Sequence, residues 1–316
     1  MKIAVALLVL AAAPAPAKDP LAGLDTRLRR GDWDAARAEL QQAAEGATGP
    51  RQAALLLALG RTAQESSAYH RYDPQGAEAA VMRAVDAART GGDAAGRAQA
   101  RLLEGKLRYW QGFADPPRWD EARRILEDAR RGLVETKAPA PAAEATFYLG
   151  LVAQQEGRWE AARPLFEDAL AQARRLGDGY LASFPERHLA DLAAEAKDLP
   201  AAEAGHRRSL ALREKAGATA LVPFARVAVA EVLAARGKRA EAVGELRRAA
   251  DEAHRAGTAP AEAAALLGLS KLSAEGGDAK GAAAAALQAV AAARAYGDPE
   301  LVAEAERAAG MGGGAR

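Results

Sequence analysis

Along this chain a small residue, a large apolar residue and a second small residue recur four and then three positions apart, against a background rich in charge. The clearest copy lies in GRWEAARPLFEDALAQARRLGD (157–178), which carries Ala162, Phe166 and Ala169. Positions i, i+4 and i+7 share one face of a helix, so the stretch predicts an amphipathic helix and not a strand. The triplet returns as Ala122-Leu126-Ala129, Ala202-His206-Ser209, Ala242-Leu246-Ala249 and Ala282-Ala286-Ala289, a constant period of 40 residues. Two looser copies come earlier, Ala77-Val81-Ala84 and Ala36-Leu40-Ala43. A catalytic constellation is not repeated seven times in one chain, so the pattern is architectural.

Each copy has an upstream half. ATFYLGLVAQQEG (145–157) places Leu149 and Gly150 ahead of Ala162; ARLLEGKLRYWQG (100–112) aligns through Gly105, and LLLALGRTAQES through Leu59-Gly60. The unit is therefore an apolar helix with a small residue midway, a break at a glycine such as Gly157, Gly237 or Gly277, and a second helix carrying the triplet. Glycine or alanine at a helix crossing lets two backbones approach, and Leu or Phe fills the gap beside it. Such a hairpin cannot bury its apolar face alone, so neighbouring hairpins must stack.

Composition agrees. Alanine supplies 88 of 316 residues and aromatic residues only 15, a balance that favours helix over strand. The charges, 43 basic and 42 acidic, are interspersed, so nothing in them marks a nucleic-acid groove.

In these residues the chain resembles the tetratricopeptide-repeat family, whose motif places Leu-Gly in the first helix and Ala, a bulky residue and Ala in the second. Leu149, Gly150, Ala162, Phe166 and Ala169 match it directly. The unit exceeds the usual length of about 34 residues, and with AEAGHRRSLALREKAG it is more similar to the longer variety of kinesin light chains and related bacterial proteins. HEAT-type repeats have a compatible period but lack the small-large-small signature. The resemblance covers about residues 20–296. It implies an all-α, right-handed superhelical solenoid of about seven helix-turn-helix hairpins over 18–297, closed by a capping helix at 298–309 with Asp298 as N-cap and Pro299 in the first turn, then a disordered tail at 310–316. Departures from the motif are His206 and Ala286 at the bulky position, and Ala190, Ala230 and Ser270 at the mid-helix glycine. Trp33, Trp119 and Trp159 share one repeat position and are assigned to the core.

The first seventeen residues, MKIAVALLVLAAAPAPA, have Lys2, an apolar run from Ile3 to Ala13 and the small-residue exit Ala15-Pro16-Ala17. That layout predicts a secretory signal peptide cleaved after Ala17, and a periplasmic or secreted mature protein. The run is shorter than the roughly 20 residues of a membrane span, so no span is expected in the mature protein. The chain has no cysteine, hence no lipidation box and no disulfide.

Candidate chemistry is sparse. His70, His188, His206 and His254 form no metal-binding pair, GGDAAG (91–96) lacks the strand and lysine of a phosphate loop, and no nucleophile motif occurs. No catalytic, cofactor or metal residue is assigned, and the chain is expected not to be an enzyme. His206 is expected to be a structural histidine inside the stack.

Two regions could recognise a partner. Repeats two and three carry extra residues between their helices, SSAYHRYDPQG (66–76) and QGFADPPRWD (111–120), which hold Tyr69, Tyr72, Phe113 and Trp119 close to Tyr109 and Trp110. Insertions at one point of successive repeats are expected side by side on one edge. The second region is the concave face, which the family resemblance assigns to the first helices. There it implies Gln99, Lys106, Tyr109 and Trp110, then Glu144, Phe147, Gln154 and Gln155, then Phe184, Arg187, Asp191 and Glu195, and finally Phe224 and Glu231. Of these, Lys106, Tyr109, Trp110, Phe147, Gln154, Phe184, Arg187, Asp191 and Phe224 are the candidate partner-binding residues, suited to an extended peptide or a partner helix. The chain thus reads as an exported interaction scaffold of the cell envelope with a protein or peptide partner. The alternatives are a ligand-sensing or catalytic protein that uses the aromatic inserts, and a structural spacer.

Overall fold

The structure, a computed structural model, describes residues 19–311. The signal-peptide assignment at 1–17 and most of the tail at 310–316 lie outside the described residues. Within them the chain forms fifteen helices and no strand. A short first helix, α1 (Leu24–Arg30), pairs with α2 (Trp33–Glu45). Six longer hairpins follow: α3 (Gly49–Tyr69) with α4 (Pro74–Gly91), α5 (Ala94–Gln111) with α6 (Pro117–Glu135), and α7 (Pro139–Gln155) with α8 (Trp159–Arg175). Then come α9 (Gly179–Glu195) with α10 (Leu199–Lys215), α11 (Val222–Ala235) with α12 (Arg239–Ala256), and α13 (Ala259–Glu275) with α14 (Ala279–Tyr296). A last helix, α15 (Pro299–Ala308), has the Asp298 carboxylate accepting from the Glu300 and Leu301 N–H groups. Each helix packs on its neighbours in sequence, the arrangement of a tetratricopeptide-like solenoid.

The triplets sit where the helices cross. Ala162 and Phe166 are fully buried between α7 and α8, and a Cβ on Gly150 would come within 2.6 Å of the Phe166 ring. That contact requires glycine. In the fifth repeat the arrangement is inverted: Ala190 stands at the usual glycine position of α9, and the gap is supplied from α10, where a Cβ on Gly205 would lie 2.6 Å from the Ala190 methyl. The adjoining residue, His206, is buried as expected.

The turns repeat with the same period. Gly157, Gly237 and Gly277 within hairpins, and Gly177, Gly217, Gly257 and Gly297 between them, all have left-handed φ, the usual way to end a helix. Lys197 and Lys137 occupy the corresponding places with φ of 64° and 56°.

The tryptophans do not share one environment. Trp33 is fully buried, Trp119 is partly buried, and Trp159 is 43% exposed, contrary to its assignment to the core. The inserts explain the difference. Tyr69 and His70 from the repeat-two insert stack on Trp33, and Phe113 from the repeat-three insert packs edge-on against Trp119. The turn before Trp159 has no insert to cover it.

The solenoid also meets itself. The Ala220 N–H donates to the Arg29 carbonyl, and Ala220 joins the core cluster of Leu24, Leu28 and Trp33. His70 Nδ1 lies 3.0 Å from the Gly257 carbonyl, the Tyr72 N–H donates to the Tyr296 carbonyl, and the Tyr69 ring meets Phe224 edge-on at 5.6 Å. The first two hairpins therefore pack against the last three across a continuous seam.

Candidate functional site

The inner wall is built from the first helix of each hairpin. Over α3, α5 and α7 it forms a trough of about 450 Å³, apolar where Ala54, Leu57 and Leu103 line it and charged at Arg61, Lys106 and Glu144. Lys106 is only 7% exposed; its Nζ donates to Glu144 Oε1 at 2.7 Å and stands 5.3 Å from the Tyr148 ring centroid. Arg61 donates to Glu65 at 2.9 Å and to Asp25 at 2.5 Å. Burial pushes the Glu144 carboxyl up, but the nearby Lys106 and Arg61 charges outweigh it and hold the group below the usual carboxylate range. The charges at this end therefore satisfy one another.

An aromatic line runs on from there. Tyr109 meets Tyr148 at 5.6 Å, Tyr148 meets Phe147 at 5.5 Å, Phe147 meets Phe184 at 5.8 Å, and Phe184 meets Tyr180 at 5.1 Å. Burial holds the Tyr109 hydroxyl up at about 12 and those of Tyr148 and Tyr180 well above their ordinary value, so all remain neutral hydroxyls at physiological pH. Beyond the line, Gln154 Oε1 lies 3.1 Å from His188 Nδ1, while Asp191 stands 3.4 Å from both His188 and His206 and 3.9 Å from Arg187. Burial, followed by the Arg187 and Arg213 charges, pushes His206 down to about 4 and His188 well below its ordinary value.

The candidate residues thus fall into two connected groups, Lys106 with Tyr109 and Trp110, and Phe147 with Phe184, Gln154, Arg187 and Asp191. Tyr148 joins them. Two corrections follow. Phe147 and Tyr109, each 4% exposed, are packed into the wall and are not free anchors, because Phe147 also fills the crossing against Phe166. Phe224 does not extend the line; it faces Tyr69 across the seam. Trp110 is 42% exposed and remains open. Tyr148, Tyr180, Glu65 and Arg213 were missed in the sequence. Tyr180 could have been found four residues before Phe184, and Tyr148 four after Glu144, on the same helix faces.

The inserts part company. Tyr72 packs on Tyr296 at 5.7 Å and Tyr69 on Phe224, whereas Phe113 packs on Tyr109, Trp110 and Trp119. One insert serves the seam and the other stays with its own hairpin, so the expected shared edge gives way to two separate contacts. None of the described helices is long and apolar enough to cross a membrane.

Residues 142–215 match the tetratricopeptide repeat family model. No curated protein matches the sequence. Among solved structures, a Rap protein complexed with competence and sporulation factor superposes with a TM-score of 0.69 at 13% identity, over 91% of this chain and 79% of that one. Aspartyl phosphate phosphatase F from Bacillus subtilis superposes at 0.58 and 12% identity, over 95% and 82%. A signal transduction ATPase with numerous domains from Pyrococcus horikoshii, which carries a tetratricopeptide repeat sensor, superposes at 0.52 and 13% identity, over 93% of this chain and 41% of that one. At such identities the likeness is one of fold. With the repeat matched in its middle, the hairpins continuing on both sides and the solenoid shared with these structures, the chain is a repeat protein of the tetratricopeptide type.

Proposed function

We propose that this chain is an exported, non-enzymatic interaction scaffold of the cell envelope that holds an extended peptide or a partner helix along its inner wall. The observation that carries the reading is the combination, on one wall, of the apolar trough with the open Trp110 ring and the neutral tyrosine line. Aromatic side chains with polar tips are the residue type that supplies binding energy at interfaces. The Rap protein complexed with competence and sporulation factor is a precedent for a partner held by a solenoid of this fold. Export rests on the pattern of residues 1–17, and N-terminal sequencing of secreted or periplasmic protein should begin at Lys18.

The binding reading is tested by co-purification from envelope extracts. Trp110→Ala combined with Gln154→Ala should remove the partner without changing the melting temperature. A partner retained by that variant but lost from Phe113→Ala alone would move the site to the repeat-three insert. Absence of any partner would favour a spacer.

A further inference from the structure

On α9, Tyr180, Phe184, Arg187 and Asp191 recur at i, i+4, i+7 and i+11, which places them on one helix face. Guanidiniums from two other elements converge on that face. Arg213, at the end of α10, lies 5.3 Å from the Phe184 ring centroid, and Arg29, in α1, lies 4.3 Å from that of Tyr180. Three arginines from three separate helices therefore border two rings that meet edge-on.

Their counter-charges are weak. Arg29 reaches Asp178 and Arg187 reaches Asp191 only at 3.9 Å, and the Nε of each arginine is buried with no hydrogen-bond partner. Arg213 is 2% exposed, and among the described residues no carboxylate lies within ion-pair distance of it. Its partners are neutral, Ser183 Oγ at 3.4 Å and the Leu221 carbonyl at 3.0 Å. Asp191 is itself shared by Arg187, His188 and His206. A buried guanidinium without an anion is unfavourable, and a planar carboxylate is the group its fork matches. The charges of the trough, by contrast, are already paired.

We propose that the cluster of Arg29, Arg187 and Arg213 anchors a carboxylate of the bound partner, so that the inner wall selects acidic peptides. This rests on the peptide-binding reading above. The carboxylate would lie between Arg187 and Arg213 beside the Phe184 ring, while the rest of the peptide follows the tyrosine line toward Trp110.

The test uses an immobilised array of random acetylated decapeptides, probed with the mature chain and scored for residue enrichment. Parent protein should retain peptides enriched in Asp and Glu, and Arg187→Gln should reduce that retention by at least about tenfold. Its circular dichroism and melting temperature should be unchanged. Because Arg213 also supports the loop before α11, Arg29→Gln serves as the second variant and should weaken the same peptides. Peptides retained without acidic bias, yet lost from the Trp110→Ala, Gln154→Ala variant, would overturn this proposal and leave the groove reading standing. No retained peptide of any charge would overturn both. Calorimetry with inorganic phosphate provides the remaining arm: phosphate binding that depends on Arg187, without retention of acidic peptides, would make the cluster a free-anion site and overturn the peptide assignment.

Discussion

The Tyr296 hydroxyl donates to the carbonyl of Ser67, 2.7 Å away and 229 residues earlier in the chain. The Tyr296 carbonyl in turn accepts from the Tyr72 N–H at 2.9 Å. These two bonds hold the end of the seventh hairpin to the insert of the second.

Tyr296→Phe should therefore cost about 1 kcal/mol, the usual worth of one such bond. The loss should be local. Hydrogen exchange at the Tyr72 amide should accelerate, while amides in α7 and α8 keep their protection. Equal protection at Tyr72 in parent and variant would mean that the seam is held by packing alone.

Ala162→Leu should destabilise by roughly 1–3 kcal/mol, because added methylenes have no room at the crossing beside Phe166. Glu160→Gln, on an exposed position of the same helix, should leave the denaturation midpoint unchanged. Two variants that melt alike would show that the crossing lies elsewhere.

Lys197→Gly should stabilise the chain by about 1 kcal/mol, since it removes a side chain from a left-handed backbone conformation. Urea midpoints measured beside Lys137→Gly give an independent second site. A fall in both midpoints would contradict the strain argument.

His206 titrates at about 4 in the folded chain against 6.5 for a free histidine, with burial as the main cause and the Arg187 and Arg213 charges adding to it. A base whose folded value is depressed gives stability that is complete above the free value and is lost as pH falls toward the folded value. Between pH 6.5 and 4 this group should cost up to about 3 kcal/mol. Burial raises the neighbouring Asp191, which acts in the opposite sense as its carboxylate takes up a proton. Replacing His206 with leucine, the residue type usual at that repeat position, should flatten the pH dependence measured by chemical denaturation. An unaltered slope would assign it to His188 or to the carboxylates.

The repeat was legible because a crossing between two helices tolerates few side chains, and that restriction recurs every 40 residues from Ala122 to Ala282. Even the departure at Ala190 had a visible counterpart in Gly205, although the exchange of roles shows only once the two helices are in contact. The site was legible in part. Helical spacing pointed to the inner wall, but not to which aromatic residues are open. Trp110 and Phe147 were both read as inner positions, and it is the packing of Phe147 against Tyr148, Phe166 and Phe184 that closes one while the other stays open. The seam left no periodic trace, because the pairs Tyr69–Phe224, His70–Gly257 and Tyr72–Tyr296 join unrelated points of the chain. Arg213 lay outside the inner wall for the same reason: it sits on a second helix and reaches the lumen only beside Phe184.

A linear stack of repeats can gain or lose a unit and remain a stack, because each unit contacts only its neighbours. The contact between the first hairpins and the last removes that freedom here. Deleting one 40-residue unit would leave Ser67 and Tyr296 unable to meet, and duplicating one would carry them past each other. The number of repeats is therefore tied to the circumference, and divergence in this lineage should proceed by substitution and by lengthening of turns, with whole-unit gain or loss selected against.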